Sequence, residues 1–415
     1  MEAAGDSNGA GPSPEQDRAP AELTNAALLW FAGASAVVTA NGYYIHPIIA
    51  SVAADFGVSA ALVGLVPAMN QIALAVGIFL LLPLGDRVSN KVLARVFMGC
   101  QTAMLATMAL AQDFYILVAA SAMLGFFTIT PYLLPAYVSK RVTPGRLGYA
   151  NAVLTTGIII GILLARAGSG AVGEYFGWRA VFWIAAAVML VTTVLVPRLM
   201  APEAVSTKDA ARPSYPALLG SIFPIIRERP DILLSGMIQF LSFGVFLSIW
   251  MGLGLHLTSA EMGYGTDVVG YLAGLTILNL IVTPRLGRWA DGVGALKARR
   301  IMATVQLGGV ALFLVAGHSL WLLIVPLVIS NLSSPVIDIA NRMTFLNAQS
   351  QIRTRLMTVY IVFMFAGGGL ASWAGTAAYD WAGWTGNAVL ALAMSAGALT
   401  LAAFAERRGP AIKRA

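Results

Sequence analysis

Gly287–Gly294 read GRWADGVG, and Pro83–Lys91 read PLGDRVSNK. Each stretch interrupts a long apolar run with an aspartate and nearby basic residues. The two aspartates, Asp86 and Asp291, lie 205 positions apart. Within two residues, the same spacing separates three further pairs of matching features: Gly161 and Gly367, the Gly-Trp pairs at 177–178 and 383–384, and the starts of the first and seventh apolar runs. One offset shared by four features predicts a parallel internal repeat.

The composition places this repeat in a membrane. Of the 415 residues, 58% are hydrophobic and only 11% are charged, whereas about a quarter of the residues of a soluble domain are charged. The apolar residues fall into twelve runs, each close to the roughly 20 residues that cross a bilayer as a helix; the first is Asn25–Ile48. We therefore predict an all-α membrane protein with twelve transmembrane helices in two six-helix halves.

The runs divide the chain into five parts. Residues 1–24 are rich in Gly, Pro, Ser and acids, which predicts a disordered tail without a cleavable signal peptide. Residues 25–199 form an N-terminal six-helix half and 231–405 a C-terminal one. Between them, 200–230 are predicted to be a linker with an amphipathic helix, because apolar residues recur there at helical spacing. Residues 406–415 form a second tail.

The basic residues predict the orientation in the membrane. Of 26 Lys and Arg, all but Arg166 and Arg179 fall in the tails or in the loops of one side. Basic loops stay on the cytoplasmic side, so both termini are expected in the cytoplasm and the protein in the inner membrane. The net charge of +7 then reflects topology, and no nucleic-acid partner is expected.

The quoted turns resemble a motif of the major facilitator superfamily. The second copy matches the superfamily's Gly-x-x-(Ala/Gly)-Asp-x-x-Gly-like turn, while the first has Leu82 and Ser89 in place of glycine. Four further stretches resemble its bacterial sugar and drug efflux branch: ANGYYIHPIIASVAADFGVS in the first run, GILLARAGSG with GWRAVFW in the fifth and sixth, FGVFLSIW in the seventh, and RTRLMTVY in the eleventh. The resemblance implies the superfamily's two-half transporter fold.

Other classes of activity lack their motifs. The sequence contains no G-x-x-x-x-G-K-[ST] phosphate loop, no H-E-x-x-H and no G-x-S-x-G, so ATP hydrolysis, zinc proteolysis and serine hydrolysis are not indicated. Cys100 is the single cysteine and the three His are scattered, so neither a metal site nor a cofactor is predicted. The expected partners are a small-molecule substrate, protons and the lipid bilayer, and a monomer is expected.

Arg166 is the most unusual basic residue, because it falls inside the fifth run. Counted from Tyr149 at about 1.5 Å per residue, it lies about 26 Å up the helix. Intramembrane charges usually face a wet pathway, which favours a cavity position. The alternatives are that the side chain reaches the outer headgroups or pairs with an acid.

Two residues are candidates for proton coupling. His46 belongs to a polar cluster with Asn41 and Tyr44, and histidine titrates near neutrality; a membrane-interface role is the alternative. Asp338 is the acid inside the second set of runs, although Arg342 four residues later predicts an ordinary helix ion pair. Many multidrug members of the superfamily carry an acid in the first helix, and its absence here argues against strongly cationic drugs.

Besides Arg166, Asn41, Tyr44 and His46, the cavity candidates are polar or aromatic residues inside the runs. Each can bind a solute between the halves or tie one helix to the next. They are Gln71, Tyr132, Gln239, Trp250, Asn279, Asn331 and Tyr360.

The two aspartates, with Arg87 and Arg288 beside them, are the gating candidates. The resemblance implies that each acid faces the N-terminal end of a helix in the other half, near 353–356 for Asp86 and near 148–149 for Asp291. Unpaired N–H groups at a helix N-terminus attract an anion.

Three functions remain open on this sequence. The first is a proton-coupled exporter of a small organic metabolite or drug-like compound, working by alternating access. The second is a proton symporter that imports a small organic acid, whose carboxylate Arg166 would attract. The third is a membrane sensor on the same fold that transports nothing.

Overall fold

In a computed structural model of the chain, residues 23–201, 215–345 and 350–412 are described. Nearly all of the predicted N-terminal tail and the end of the C-terminal one lie outside these ranges. Within them, every regular element is a helix. The prediction of an all-helical protein is therefore confirmed for the described chain.

The N-terminal group comprises α1–α9. Their bounds are α1 Asn25–Ala40, α2 Ile45–Phe56, α3 Ala60–Val63, α4 Leu65–Leu81, α5 Asn90–Leu110, α6 Phe114–Phe126, α7 Thr130–Ser139, α8 Leu147–Phe176 and α9 Trp178–Leu199. Short 3₁₀ turns occupy Leu82–Asp86 and Pro144–Arg146.

The C-terminal group follows a linker that contains α10 and α11. The bounds are α10 Tyr215–Gly220, α11 Ile222–Glu228, α12 Asp231–Leu257, α13 Thr266–Leu272, α14 Ile277–Val293, α15 Ala295–Ala316, α16 Leu320–Met343 and α17 Ser350–Ile412, with a 3₁₀ turn at Ala273–Thr276.

Prolines break three of the first four apolar runs into two helices each. Pro47, Pro67 and Pro131 follow breaks at 41–44, at Gly64 and at 127–129. A proline removes one backbone N–H and its ring clashes with the carbonyl four residues earlier, and in each case that carbonyl lies in or directly beside the break. The first span has a turn at 41–44 and continues to Phe56, eight residues beyond the predicted Ile48.

The two ends of the bundle are distinguished by their charges. The basic end contains the turns near 85–90, 140–146 and 291–300; there Arg146 donates to Asn25 Oδ1 at 2.7 Å and Arg300 pairs with Glu406. The far end contains the turns at 57–59, 111–113 and 258–265; there Arg179 pairs with Asp55 at 2.6 Å.

The helices are long and apolar enough to cross a membrane. Eleven stretches of the described chain meet that description, and the last, Arg355–Arg408, has 54 residues, roughly 80 Å of helix. Its backbone leaves the helical conformation at Ala382 and Gly383. Large apolar side chains such as Trp381 and Trp321 are 89% and 76% exposed, as expected for side chains that face lipid.

The linker contains two short helices where one amphipathic helix is predicted. Pro224 explains the division, because its ring would clash with the carbonyl of Gly220 in a continuous helix, and the break falls between these residues. Ile222 and Ile225 are buried and belong to a core cluster that includes Leu356 of α17. Their apolar face therefore packs on the protein.

Glycines allow the closest helix pairs. A side chain at Gly157 or Gly161 of α8 would overlap the backbone of Ala32 or Ala36 in α1. A side chain at Gly367 of α17 would overlap the backbone of Phe240 in α12. Gly161 and Gly367, one of the pairs that share the repeat offset, thus occupy the same kind of close helix contact.

Candidate solute site between α2, α8, α12 and α16

Arg166 lies on α8 and is 0% exposed. The guanidinium carbon is 4.1 Å from the ring centroid of Trp250, 4.9 Å from that of Phe246 and 5.2 Å from that of Tyr43. Tyr43 stands in the turn between α1 and α2, while Phe246 and Trp250 are one turn apart on α12. The charge is therefore enclosed by aromatic faces from the N-terminal and C-terminal groups.

The guanidinium has no hydrogen-bond acceptor. Among the described residues, none accepts from Nε, Nη1 or Nη2 of Arg166, and no ion pair involves it. Burying an unpaired charge is costly, and cation–π contacts return only about 0.5–2 kcal/mol. A group kept in such a position is therefore a candidate for binding an anion that enters from outside.

His46, at the start of α2, is also buried without a partner. Its ring packs on Tyr43 with centroids 5.1 Å apart, and neither ring nitrogen has a hydrogen-bond partner in the described chain. The histidine thus shares an aromatic neighbour with Arg166. Tyr44 is the next residue along the turn and is half-buried.

A small cavity adjoins the aromatic wall. It is lined by α12, α15 and α16, through Val245, Phe246, Ile249, Trp250, Gln306, Leu327, Ser330 and Asn331. Within the described chain, Nε1 of Trp250, Oγ of Ser330 and Nδ2 of Asn331 have no partner. An indole N–H and an amide NH₂ are donors only, and a hydroxyl can donate, so unused donors surround the cavity.

Asn41 and Gln71 face the interior of the N-terminal group. Asn41 donates to Gln101 Oε1 at 3.5 Å and to Met189 Sδ at 3.6 Å, and Gln101 in turn donates to Thr128 at 2.7 Å. This chain of contacts ties α1, α5, α6 and α9 together. The side-chain oxygens of both Asn41 and Gln71 have no donor among the described residues.

A second polar cluster lies towards the basic end. Asp338 of α16 accepts from Arg342 Nε at 2.9 Å and from the Tyr360 hydroxyl at 2.6 Å. The ring of Tyr132 on α7 packs on Phe365 of α17 with centroids 6.2 Å apart. The ion pair predicted for Asp338 is therefore present, and Tyr360 joins it from the neighbouring helix.

Gln239 and Asn279 are less directly related to the cavity. Gln239 accepts from Asn341 at 3.3 Å, and Asn341 accepts from the buried Arg299 at 3.0 Å. Arg299 also donates to Ser235 at 3.1 Å, so this arginine, unlike Arg166, has two acceptors. Asn279 lies near the start of α14, and its side-chain oxygen is buried without a donor in the described chain.

At the far end, an acid of the N-terminal group binds a helix N-terminus of the C-terminal group. Glu174, in the last turn of α8, accepts from the backbone N–H of Thr266 at 2.8 Å and from its hydroxyl at 3.2 Å. That hydroxyl is also 2.9 Å from the carbonyl oxygen of Gly170. Since Thr266 is the first residue of α13, the carboxylate lies at the positive end of that helix.

The predicted gating residues lie at the basic end. Asp291 and Arg288 of α14 are exposed, and so are Gly148 and Tyr149, the positions expected to meet Asp291. Asp86 closes the 3₁₀ turn after α4, but its side chain lies outside the described part, and Arg87 is half-buried. The N-terminal and C-terminal groups thus touch at the far end. At the basic end, Gly148 and Tyr149, the residues expected to meet Asp291, are both exposed.

Two contacts of the site and of the far end were not predicted from the sequence. Phe246 lies four residues before Trp250, on the same helix face, and that spacing was an available signal. The Glu174–Thr266 contact joins residues 92 positions apart and had no local signal. Among the described residues, no group of three His, Cys, Asp or Glu side chains is placed to hold a metal ion.

Comparisons with known proteins identify the relatives of the chain. Residues 31–348 match the sequence profile of the Major Facilitator Superfamily. The uncharacterized transporter YgaY of Escherichia coli O157:H7 is 25% identical over 88% of this chain and 92% of its own length. The probable transporter SCO4007 of Streptomyces coelicolor is 29% identical over 86% of this chain and 82% of its own. The multidrug resistance protein MdtG of Klebsiella pneumoniae is 25% identical over 52% of each chain.

Solved transporter structures share the fold. The nucleoside transporter NupG aligns with a TM-score of 0.69 at 15% identity, over 91% of this chain and 98% of its own. A bacterial homologue of the human lysosomal transporter Spinster, solved inward-facing and unoccupied, aligns with a TM-score of 0.69 at 12% identity, over 92% and 95%. At these identities the likeness concerns the fold alone.

Proposed function

Since the chain belongs to the Major Facilitator Superfamily and is a multi-pass membrane transporter and not an enzyme, we propose that it exports a small organic metabolite or drug-like compound in exchange for protons. The observation that carries this proposal is the set of buried polar groups between the two groups of helices, centred on Arg166, that have no partner in the described part of the chain. In transporters of this architecture, solutes bind midway through the bilayer between the halves.

Alternating access requires that the two ends open in turn. We propose that residues 25–199 and 231–405 are two six-helix halves of a parallel repeat, with α17 supplying the eleventh and twelfth spans on either side of its break at Ala382 and Gly383. The Glu174–Thr266 contact would hold the far end closed. In the opposite state, Asp86 and Asp291 would each bind a helix N-terminus and hold the basic end closed.

His46 is the better of the two proposed proton carriers. Neither ring nitrogen has a partner among the described residues, so a proton can be gained there without breaking an existing contact, and an anion bound at Arg166 would offset the repulsion between the two positive charges. Asp338 already accepts hydrogen bonds from Arg342 and Tyr360. Protonating Asp338 would therefore cost an ion pair, which makes a structural tie between α16 and α17 its expected role.

The proposed setting is the inner membrane, with a monomeric protein whose termini are both cytoplasmic. The loops at the basic end support this orientation, because basic loops are retained in the cytoplasm. The likeness to MdtG, a multidrug resistance protein, supports export.

A proton symporter that imports a small organic acid is the second candidate, and Arg166 favours it equally. A sensor without transport is the third. Uptake into inside-out vesicles, measured across a solute panel with and without a proton gradient, separates them. Export predicts gradient-dependent accumulation in these vesicles, import predicts gradient-dependent loss from preloaded vesicles, and a sensor predicts neither. Vesicles that contain Arg166→Met provide the matched control.

A further inference from the structure

The strongest unexplained feature of the site is its charge. Arg166 is fully buried and its three side-chain nitrogens have no acceptor among the described residues. The guanidinium group keeps its proton in proteins and offers five N–H donors in a flat fork. Aromatic rings can cover its faces, but they leave the donors at its edge unused. A bound group must therefore bring acceptors to that edge.

The number of unpaired cations in the site indicates the charge of the group that binds Arg166. Two arginines inside the C-terminal group are occupied: the buried Arg299 donates to Ser235 and Asn341, and the half-buried Arg342 pairs with Asp338. In the described part of the site, the one guanidinium without an acceptor is that of Arg166, and it matches a single negative charge. A carboxylate fits it best, because its two oxygens can accept a parallel pair of hydrogen bonds from the fork.

The adjoining cavity defines the rest of the ligand. Its walls are mostly apolar, formed by Val245, Phe246, Ile249 and Leu327. In this closed arrangement the cavity has a volume of about 10 Å³, the space of about one water, so the body of a ligand would enter only once the surrounding helices move apart. An apolar body between these walls would then gain about 25 cal/mol for each Å² removed from water. The unused polar groups of Trp250, Ser330 and Asn331 can meet further acceptors on the ligand.

We propose that the transported solute is an organic monocarboxylate with an apolar body, whose carboxylate accepts hydrogen bonds from Arg166. This inference rests on the proposed transport function, names the class of its substrate and holds for either direction of transport. Strongly cationic solutes are excluded from the site by repulsion from the guanidinium.

Matched pairs of ligands test the charge requirement in the purified full-length protein. Benzoate and benzamide have nearly the same shape and differ in charge, and cyclohexanecarboxylate and its amide form a second pair. We expect both carboxylates to raise the melting temperature and to change the tryptophan fluorescence, since Trp250 borders the site. Each amide should bind at least tenfold more weakly than its carboxylate.

Variants then locate the binding. Arg166→Lys should weaken carboxylate binding, because a point charge replaces the fork, and Arg166→Met should abolish it. Arg179→Met removes a far-end arginine that pairs with Asp55, and this control should bind as the unaltered protein does. The unliganded melting temperature of each variant checks that it is folded.

Three results overturn the inference: equal binding of carboxylates and amides, no binding of either carboxylate, or carboxylate binding that survives in Arg166→Met. Transport assays in proteoliposomes separate this failure from failure of the proposed function. Arg166-dependent binding of carboxylates that never cross the membrane would leave the inference standing and refute transport. Movement of neutral solutes that Arg166→Met leaves unchanged would support transport and refute the inference.

Discussion

Replacing Arg166 by methionine should make the unliganded protein more stable. The change removes a buried charge that has no acceptor in the described chain and keeps an unbranched apolar side chain in its place. Replacement of buried ionic groups by hydrophobic residues of similar volume is often neutral or stabilising by about 1–4 kcal/mol. The lost cation–π contact with Trp250, at 4.1 Å, offsets about 0.5–2 kcal/mol of this gain.

The expected net gain is about 1–2 kcal/mol after this offset. For a chain of 415 residues, a gain of this size corresponds to a melting temperature higher by about 1–2 °C. Arg299→Met is the matched control, because Arg299 is also buried but donates to Ser235 and Asn341. Its removal leaves the side-chain oxygen of Asn341 without this donor, at a cost of about 1–3 kcal/mol.

Thermal unfolding of the two variants in detergent gives the comparison. The melting temperature should rise for Arg166→Met and fall for Arg299→Met. If both variants lose stability to a similar degree, Arg166 is a structural residue, and the argument that its charge is held for a ligand is refuted.

Three further substitutions test other contacts. Glu174→Gln should weaken the far-end contact by about 0.3–2 kcal/mol and lengthen the distance between spin labels at positions 175 and 264; an unchanged distribution would argue against a gate there. Asp291→Asn should shift the same labels towards the short distance and slow transport at normal expression, whereas normal transport would remove Asp291 from the gating account. Asn387→Leu should lower the melting temperature, because the buried Asn387 donates to the carbonyls of Ser248 and Gly375 and leucine loses both hydrogen bonds, each worth about 0.5–1.5 kcal/mol; a stable variant would show that these bonds contribute little.

Much of the fold could be predicted from the sequence, because membrane helices are signalled by length and hydropathy alone. The end of the first span was missed for a specific reason. Its helix continues past the apolar run to Phe56, where Asp55 pairs with Arg179, and stops at Gly57, whose φ of 62° suits glycine. The ion pair depends on a partner that is distant in the sequence.

The site was predictable only in part. Arg166 stood out because nearly every other cation follows the charge pattern of the loops, and its burial agrees with a position inside the bundle. Its aromatic neighbours were harder to identify, since Tyr43 and Phe246 lie in different groups and apolar runs are rich in such residues. Asn41 stays a predicted cavity residue, and its contacts with Gln101 and Met189 could not be predicted, because they depend on the packing of α1 on α5 and α9.

A solute can pass only if the far end of the bundle opens. Cysteines in place of Glu174 and Thr266, in a chain with Cys100→Ser, can be joined by a short bis-methanethiosulfonate, which forms a reducible disulfide with each thiol and releases methanesulfinate, since these side chains touch across α8 and α13. We predict that linked protein in proteoliposomes loses solute transport and regains it after reduction. Each single-cysteine variant treated with the linker should keep transporting. Full transport by completely linked protein would contradict alternating access through this end.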